Sequence, residues 1–286
     1  MKDTYLSIRC VIPAELEEEL PELLASWPVL GTEIGECSEL GVLVTVYFAG
    51  GENDGADGVR RLLKARGAQD IEHQLLEADD WLAGFREQIR PFEVGDHWWI
   101  DPHPDRPTAA PAGRRRLVVE PSMAFGTGTH ESTRAILVEL EDLEVDGRRV
   151  LDVGTGSGIL ALAAESLGAD WVVGLEIDPS AIWVAGEVSR QQEWRSRANF
   201  VLGSVDCLGG SEFDIVVCNM IASSFLPLAG DLRRSLAPTG VAVFSGLLAS
   251  EAGLVSAALI QAGYSITSRR DDGDWASLKA AAATTP

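Results

Sequence analysis

The sequence is poor in cysteine and in positive charge. Its four cysteines, Cys10, Cys37, Cys207 and Cys218, lie far apart and form no C-x-x-C pair. That excludes a disulfide-stapled scaffold and a clustered thiolate metal site, and predicts buried free thiols in a reducing cytoplasm. Lysine and arginine number 23 against 44 aspartates and glutamates, for a formal charge of −21. The deficit is even along the chain: 12 basic and 23 acidic residues in 1–120, then 11 and 21 in 121–286. Either half would repel a phosphate backbone, so no direct nucleic-acid binding is expected, and a basic protein partner suits the field better. The local cluster Arg114-Arg115-Arg116 follows a Pro-rich loop and reads as a solvated linker edge. No apolar run reaches the roughly 18 residues a membrane-spanning helix needs. The start Met1-Lys2-Asp3-Thr4-Tyr5 has no apolar stretch or small-residue cleavage site, so no secretory signal is expected. A cytoplasmic protein, with no membrane attachment and a monomer as the favoured state, follows as the expectation.

What is present is ample. The 286 residues suffice for two domains, and 46% hydrophobic with 23% charged residues is the balance of a folded chain. In the first part, Thr4 to Ile12 reads as a strand. Leu16, Leu20, Leu23, Leu24 and Trp27 then recur at helical spacing around Pro21. Val29 to Cys37 and Leu40 to Ala49 read as strands, Gly50 to Gly58 as a loop, Val59 to Leu63 as a helix and Ile71 to Leu76 as a strand. That order, β-α-β-β-α-β, is the ferredoxin-like unit. Asp79-Asp80 can cap a helix carrying Trp81, Leu82, Phe85 and Ile89, and Trp98-Trp99-Ile100 reads as a short strand. Pro102, Pro104, Pro107, Pro111 and Gly113 mark a linker. From Arg149 strands alternate with helices, which predicts a doubly wound, Rossmann-like α/β sheet with its ligand crevice at the carboxyl ends of the strands. The alanine-rich end, 280–286, reads as a frayed tail. The expected domains are 1–78, ferredoxin-like; 79–120, a linker region; and 121–280, the doubly wound domain.

Four segments carry chemistry. In Val150-Leu151-Asp152-Val153-Gly154-Thr155-Gly156-Ser157-Gly158 an apolar strand enters a glycine turn that opens a helix. Such a turn lets a ligand approach the backbone, and the free N–H groups at the helix start favour an electron-rich ligand. Glu176 ends the next strand, 22 residues after Gly154, where a carboxylate can accept both hydroxyls of a ribose. The spacing is G-x-G-x-G rather than the dinucleotide G-x-G-x-x-G, and no phosphate-binding G-x-x-x-x-G-K-[ST] loop occurs. Asp152 beside the turn disfavours a pyrophosphate and suits the ammonium of an amino-acid-bearing nucleoside. Together these point to S-adenosylmethionine. Phe213 to Ala222 delivers Asn219 to the same sheet edge, where an amide offers both an acceptor and donors to a reacting amine. Finally, Glu120 to Thr133 is a Gly/Thr loop leading into a helix. It is read as a lid over the methionine end, with Phe125 and Thr127 as cofactor contacts and His130 as a lid or structural residue ahead of general base.

Pro121 to Thr133, with Ala124-Phe125-Gly126-Thr127-Gly128-Thr129-His130 unbroken, resembles the ribosomal protein L11 methyltransferase family. So do Leu151 to Leu160, Glu176-Ile177-Asp178-Pro179, Asn219-Met220-Ile221-Ala222 and Ser245-Gly246-Leu247-Leu248. The resemblance implies a class I S-adenosylmethionine-dependent protein lysine methyltransferase. Its N-terminal domain would bind a ribosomal large-subunit protein, and its C-terminal domain the cofactor. Thr133, Gly154, Glu176 and Asn219 carry over as cofactor positions, with Asn219 also the catalytic candidate; Asp152, Gly156, Phe125 and Thr127 complete the binding set, and no metal is expected. Glu176 stands where the family more often has Asp. The implied reaction is N-methylation of lysine side chains and of an N-terminal amine. The alternatives are another protein's lysine, a small-molecule amine, or a noncatalytic nucleoside-binding protein.

Overall fold

The computed structural model describes residues 4–17, 19–24, 27–38, 41–77, 89–106, 108–120 and 128–283. The expected helix 79–89 therefore lies almost wholly outside the described residues, as do Phe125 and Thr127. The chain divides into two compact units, Met1–Glu87 and Gln88–Pro286.

In the first unit, β1 (Thr4–Ile12), β2 (Val29–Ser38), β3 (Gly41–Ala49) and β4 (Gln69–Glu77) form an antiparallel sheet in the order β2-β3-β1-β4. Helices α1 (Leu20–Leu24) and α2 (Asn53–Ala65) accompany it. Alternate residues of β1 (Leu6, Ile8, Cys10, Ile12) and β3 (Val42, Val44, Val46, Phe48) face Val59 and Leu63 of α2 in one buried cluster. Each such buried side chain contributes about 1.5–3 kcal/mol. Helix α2 begins at Asn53, inside the stretch expected to be a loop. Its glycines are packing residues. A Cβ at Gly58 would lie 2.0 Å from the Trp27 ring, and one at Gly55 2.6 Å from Pro28. Glycine here lets the helix press against the Trp27-Pro28 corner, which outweighs its low helix propensity.

The second unit opens with a three-stranded sheet of β5 (Phe92–Val94), β6 (Trp98–Asp101) and β7 (Arg115–Val118). The Pro-rich stretch connects β6 to β7, and Val94, Trp98, Ile100 and Leu117 belong to the same buried cluster as Val150 and Ile159. Of the arginine triplet only Arg115 is a solvated edge residue; Arg114 is half-buried and Arg116 buried. Arg116 is 8% exposed, its Nε donates to Asp101 Oδ2 at 2.9 Å, and its Nη1 donates to Glu193 Oε1 at 2.9 Å. Arg114 pairs with Glu93 at 2.7 Å and donates to the Gly95 carbonyl, and Arg115 donates to the Ser166 carbonyl. These cations sit where strand ends leave acceptors to satisfy.

Next come α3 (Glu131–Glu141), β8 (Arg149–Val153), α4 (Ile159–Ser166), β9 (Trp171–Glu176), α5 (Pro179–Arg190), β10 (Asn199–Leu202) and β11 (Phe213–Asn219). The chain continues through α6 (Ala222–Phe225), α7 (Ala229–Ser235), β12 (Leu236–Leu248), α8 (Ala252–Gln261), β13 (Tyr264–Asp272) and β14 (Trp275–Ala282). The seven-stranded sheet has the order β10-β9-β8-β11-β12-β14-β13. The neighbours from β10 to β12 are parallel, while β14 runs antiparallel to both β12 and β13. Both faces are covered. Val150, Ile215, Val217 and Val243 point into one cluster; Leu151, Val153, Val216, Cys218 and Phe244 point into the other. Double burial explains why these strands read as near-continuous apolar runs.

Two expectations are corrected here. The alanine run is not a frayed tail: β14 reaches Ala282, and Ala280 is fully buried between β12 and β13, where small side chains suit close packing. Among the cysteines, Cys10 and Cys218 are buried and free, and burial pushes the Cys10 thiol up to about 11, but Cys207 is exposed. No described helix is long and apolar enough to cross a membrane.

Candidate functional site

Strand order reverses between β8 and β11, with β9 and β10 on one side and β12 on the other. The crevice of a doubly wound sheet opens there, at the strands' carboxyl ends. It is a cleft of about 430 Å³, lined by Gly154 and Gly156 after β8, Glu176 to Asp178 after β9, Asn219 to Ile221 after β11, Gly246 near the end of β12, and His130, Ser132 and Trp275.

The glycine turn is built on positive dihedrals: φ is +70° at Gly154, +52° at Gly156 and +83° at Gly158. These are left-handed values that cost other residues energy. The turn is also crowded. A Cβ on Gly158 would stand 2.8 Å from the Phe200 ring, and one on Gly154 2.9 Å from Met220. Gly154 and Thr155 both donate their N–H to the Leu175 carbonyl at 2.9 Å, tying the turn to the end of β9. The Gly156 N–H donates to Glu176 Oε2 at 3.2 Å, while Glu176 Oε1 accepts from Ile177 N at 2.8 Å and Asp178 N at 3.2 Å. The carboxylate is therefore held directly against the glycine turn. Asp178 caps α5 by accepting from Ser180, whose bonds hold its carboxyl below the usual range.

Asp152 stands behind the turn, not in the cleft. It is fully buried; its Oδ2 accepts from Thr155 Oγ1 at 2.6 Å and from the Ala161 N–H at 3.1 Å. It thus locks the turn to the first turn of α4. Its Oδ1 has no partner among the described residues. Burial pushes its pKa up to about 7, against the lowering bonds from Thr155 and Ala161 and with a further push from Glu176.

Asn219 is the last residue of β11 and is 8% exposed. Its Nδ2 donates to Thr133 Oγ1 at 2.9 Å, and its Oδ1 is buried with no partner among the described residues. Thr133 is itself fully buried in the first turn of α3, so its hydroxyl aims the amide. His130 caps that helix: its Nδ1 accepts from Ser132 N at 3.2 Å. The structure therefore brings Gly154, Gly156, Glu176 and Asn219 into one cleft, and sets Asp152 and Thr133 just behind it. Phe125 and Thr127 lie outside the described residues. Among the described residues, no group of three or more His, Cys, Asp or Glu side chains is placed to hold a metal ion.

Sequence reasoning missed Trp275 and Met220. Trp275 arrives because β14 is antiparallel, so its first residue, paired with Leu248, lies at the carboxyl edge of the parallel strands. The signal was the turn Asp272-Gly273-Asp274, with φ of +58° at Gly273, a hairpin signature between two strands.

The family described as "Ribosomal protein L11 methyltransferase (PrmA)" matches residues 12–283. A Deinococcus radiodurans protein named ribosomal protein L11 methyltransferase is 33% identical over 280 residues, covering 94% of this chain and 97% of the relative. A Geobacter sulfurreducens protein of the same name is 38% identical over 214 residues, covering 71% of this chain and 67% of that protein. Among solved structures, a ribosomal protein L11 methylase from Lactobacillus delbrueckii subsp. bulgaricus superimposes with a TM-score of 0.63 at 26% identity, covering 68% of this chain and 100% of that one.

Proposed function

The chain belongs to the ribosomal protein L11 methyltransferase family and is an S-adenosylmethionine-dependent methyltransferase, and from that premise we propose that it N-methylates amino groups of the ribosomal protein L11 in the cytoplasm. Lysine side chains and an N-terminal amine are the acceptors of this reading. Residues 1–78 recognise the protein and 121–280 bind the cofactor and catalyse; of the expected linker region 79–120, the part that forms β5 to β7 packs into the core of the second unit and supports the catalytic domain instead of linking. The observation that carries the reading is the buried Oδ1 of Asn219, without a partner among the described residues, in a cleft also lined by a glycine turn.

The residues present fit the cofactor. A side chain at Gly154 would crowd the cleft floor at Met220, so glycine keeps room for a ligand against the backbone. Glu176 offers a carboxylate at the end of β9, the position suited to ribose hydroxyls. Gly154, Gly156 and Glu176 hold the nucleoside in this reading, Phe125 and Thr127 cover it, and Asp152 and Thr133 hold the turn and the amide in place. When bound, S-adenosylmethionine supplies a methyl group on a cationic sulfur, which keeps the electron pair of the broken S–C bond as the N–C bond forms.

The chain's own residues then have three tasks. They position the amine, which accounts for most of the acceleration expected of such a site. They favour its neutral form: a lysine ammonium has an unperturbed pKa of about 10.4, and desolvation in the cleft lowers it so the proton passes to water. They aim the nitrogen lone pair, since Asn219 Oδ1 can accept an N–H of the neutral amine while Thr133 fixes the other end of the amide. The test is transfer of labelled methyl from S-adenosylmethionine into ribosomal proteins of cells lacking this enzyme, followed by mass spectrometry. Label in L11 amines is the expected result; cofactor binding with no label in any ribosomal protein refutes the reading.

A further inference from the structure

The cleft has a wall with no role in the account above. Trp275, half-buried at the start of β14, lines it, four strands along the sheet from the β9 end that carries Glu176. Its ring is fixed rather than free. The imidazole of His130 meets it edge-to-face, with centroids 4.6 Å apart and an interplanar angle of 73°. His130 is held in turn by the Ser132 N–H at the start of α3, and the backbone of Trp275 is paired with Leu248. An aromatic ring thus lines the same cleft as the Asn219 amide.

We propose that Trp275 is the acceptor-side wall of this cleft, the surface on which the alkyl stem and ammonium head of the target amine lie before the nitrogen reaches Asn219. The inference rests on the amine-methylation reading and names the residue that selects the acceptor. Three physical points support it. An indole face attracts an alkylammonium through its quadrupole, and attracts it more strongly where water is partly excluded. The turn before it carries Asp272 and Asp274, exposed carboxylates with no ion-pair partner among the described residues, while the nearby cations Arg269 and Arg270 are paired with Asp271 and with Glu139 and Asp142. The field beside Trp275 therefore draws in a cation and discourages an anion. Finally, Glu176 and the glycine turn, which suit a nucleoside, follow the neighbouring strands β9 and β8, whereas Trp275 starts β14 beyond β11 and β12, which leaves its side of the sheet edge for the second substrate. The acceptor class that fits is a flexible primary alkylamine.

Two substitutions of the full-length chain separate stacking from mere bulk: Trp275→Phe keeps an aromatic face, and Trp275→Leu keeps an apolar side chain without one. The first readout needs no turnover. Saturation-transfer NMR with tetramethylammonium chloride is expected to show contact with the wild type and with Trp275→Phe, and loss of it with Trp275→Leu. The second is steady-state methylation of ribosomal proteins from cells lacking the enzyme. The KM for the protein is expected to rise about tenfold in Trp275→Leu, by more than kcat falls, with the dissociation constant for S-adenosylhomocysteine within about twofold of wild type. Equal tetramethylammonium contact in all three proteins, or a Leu variant with wild-type KM, overturns the assignment. Absence of methyl transfer by the wild type refutes the amine-methylation reading instead, and the tetramethylammonium comparison still decides whether the wall binds alkylammonium.

Discussion

Replacing Asp152 with Asn is expected to make the stability of the second unit markedly less sensitive to pH. The carboxyl is fully buried, with Oδ2 occupied by Thr155 and Ala161 and Oδ1 unpartnered among the described residues. Its folded pKa is pushed up to about 7 from an ordinary 3.8. The folded state therefore holds a proton, placed on Oδ1, over a range in which the unfolded chain has lost it. Stability is fully present below the ordinary pKa and drains away as pH rises through the folded one. At 1.36 kcal/mol per unit, the roughly 2.5 units between about pH 4.5 and pH 7 remove about 3 kcal/mol. Asn copies the protonated form: its oxygen can accept both bonds, and its NH2 takes the place of the protonated oxygen. Urea denaturation of the cofactor-free protein across this range, with pulsed hydrogen exchange at β8 to isolate the second unit, measures the difference. The two proteins should agree near pH 4.5, and the Asn variant should be ahead by about 3 kcal/mol above pH 7. A difference that stays constant with pH would refute the reasoning, because it would mean the carboxyl ionises in the folded chain as it does in water.

Asn219→Ala should keep the fold while lowering kcat by about 10²–10³, as removal of one preorganised polar group from a reacting centre does; single-turnover methyl transfer at saturating cofactor checks it. Gly58→Ala places a methyl 2.0 Å from the Trp27 ring, so the first unit should lose about 1–3 kcal/mol, read by hydrogen exchange in β1 and β3. Arg116→Met strips the buried Asp101 of its cation and should cost about 3–5 kcal/mol in thermal or urea unfolding of the second unit; a loss below about 1 kcal/mol would mean that Thr108 and His103 suffice to hold that carboxylate.

The parallel core of the second unit was legible because strands covered on both faces spell apolar runs, and glycines at positive φ have few substitutes. Gly154, Glu176 and Asn219 could be placed together from spacing alone, since right-handed crossovers carry every strand of a parallel sheet to the same edge. The unread parts share a cause. Gly55 and Gly58 look like loop residues until Trp27 and Pro28 are known to lie against them. The arginine triplet looks solvated until Asp101, Glu93 and Glu193 fold toward it. The alanines of β14 carry no pattern of their own and become strand only between β12 and β13. Asp152 was legible as a residue that matters, but not as one facing the core, because a strand end turning into a loop fixes no side-chain direction in advance.

The position of β14 has a consequence for biogenesis. It lies between β12 and β13 although it is made after both, so β13 has no strand of this sheet to join until β14 has been made. The second unit is thus assembled from the outside in at this edge, and a nascent chain paused before Trp275 holds an open sheet with one flank of its cleft absent. The wall of the cleft that carries Trp275 is therefore the last to form, completed only when β14 pairs between β12 and β13.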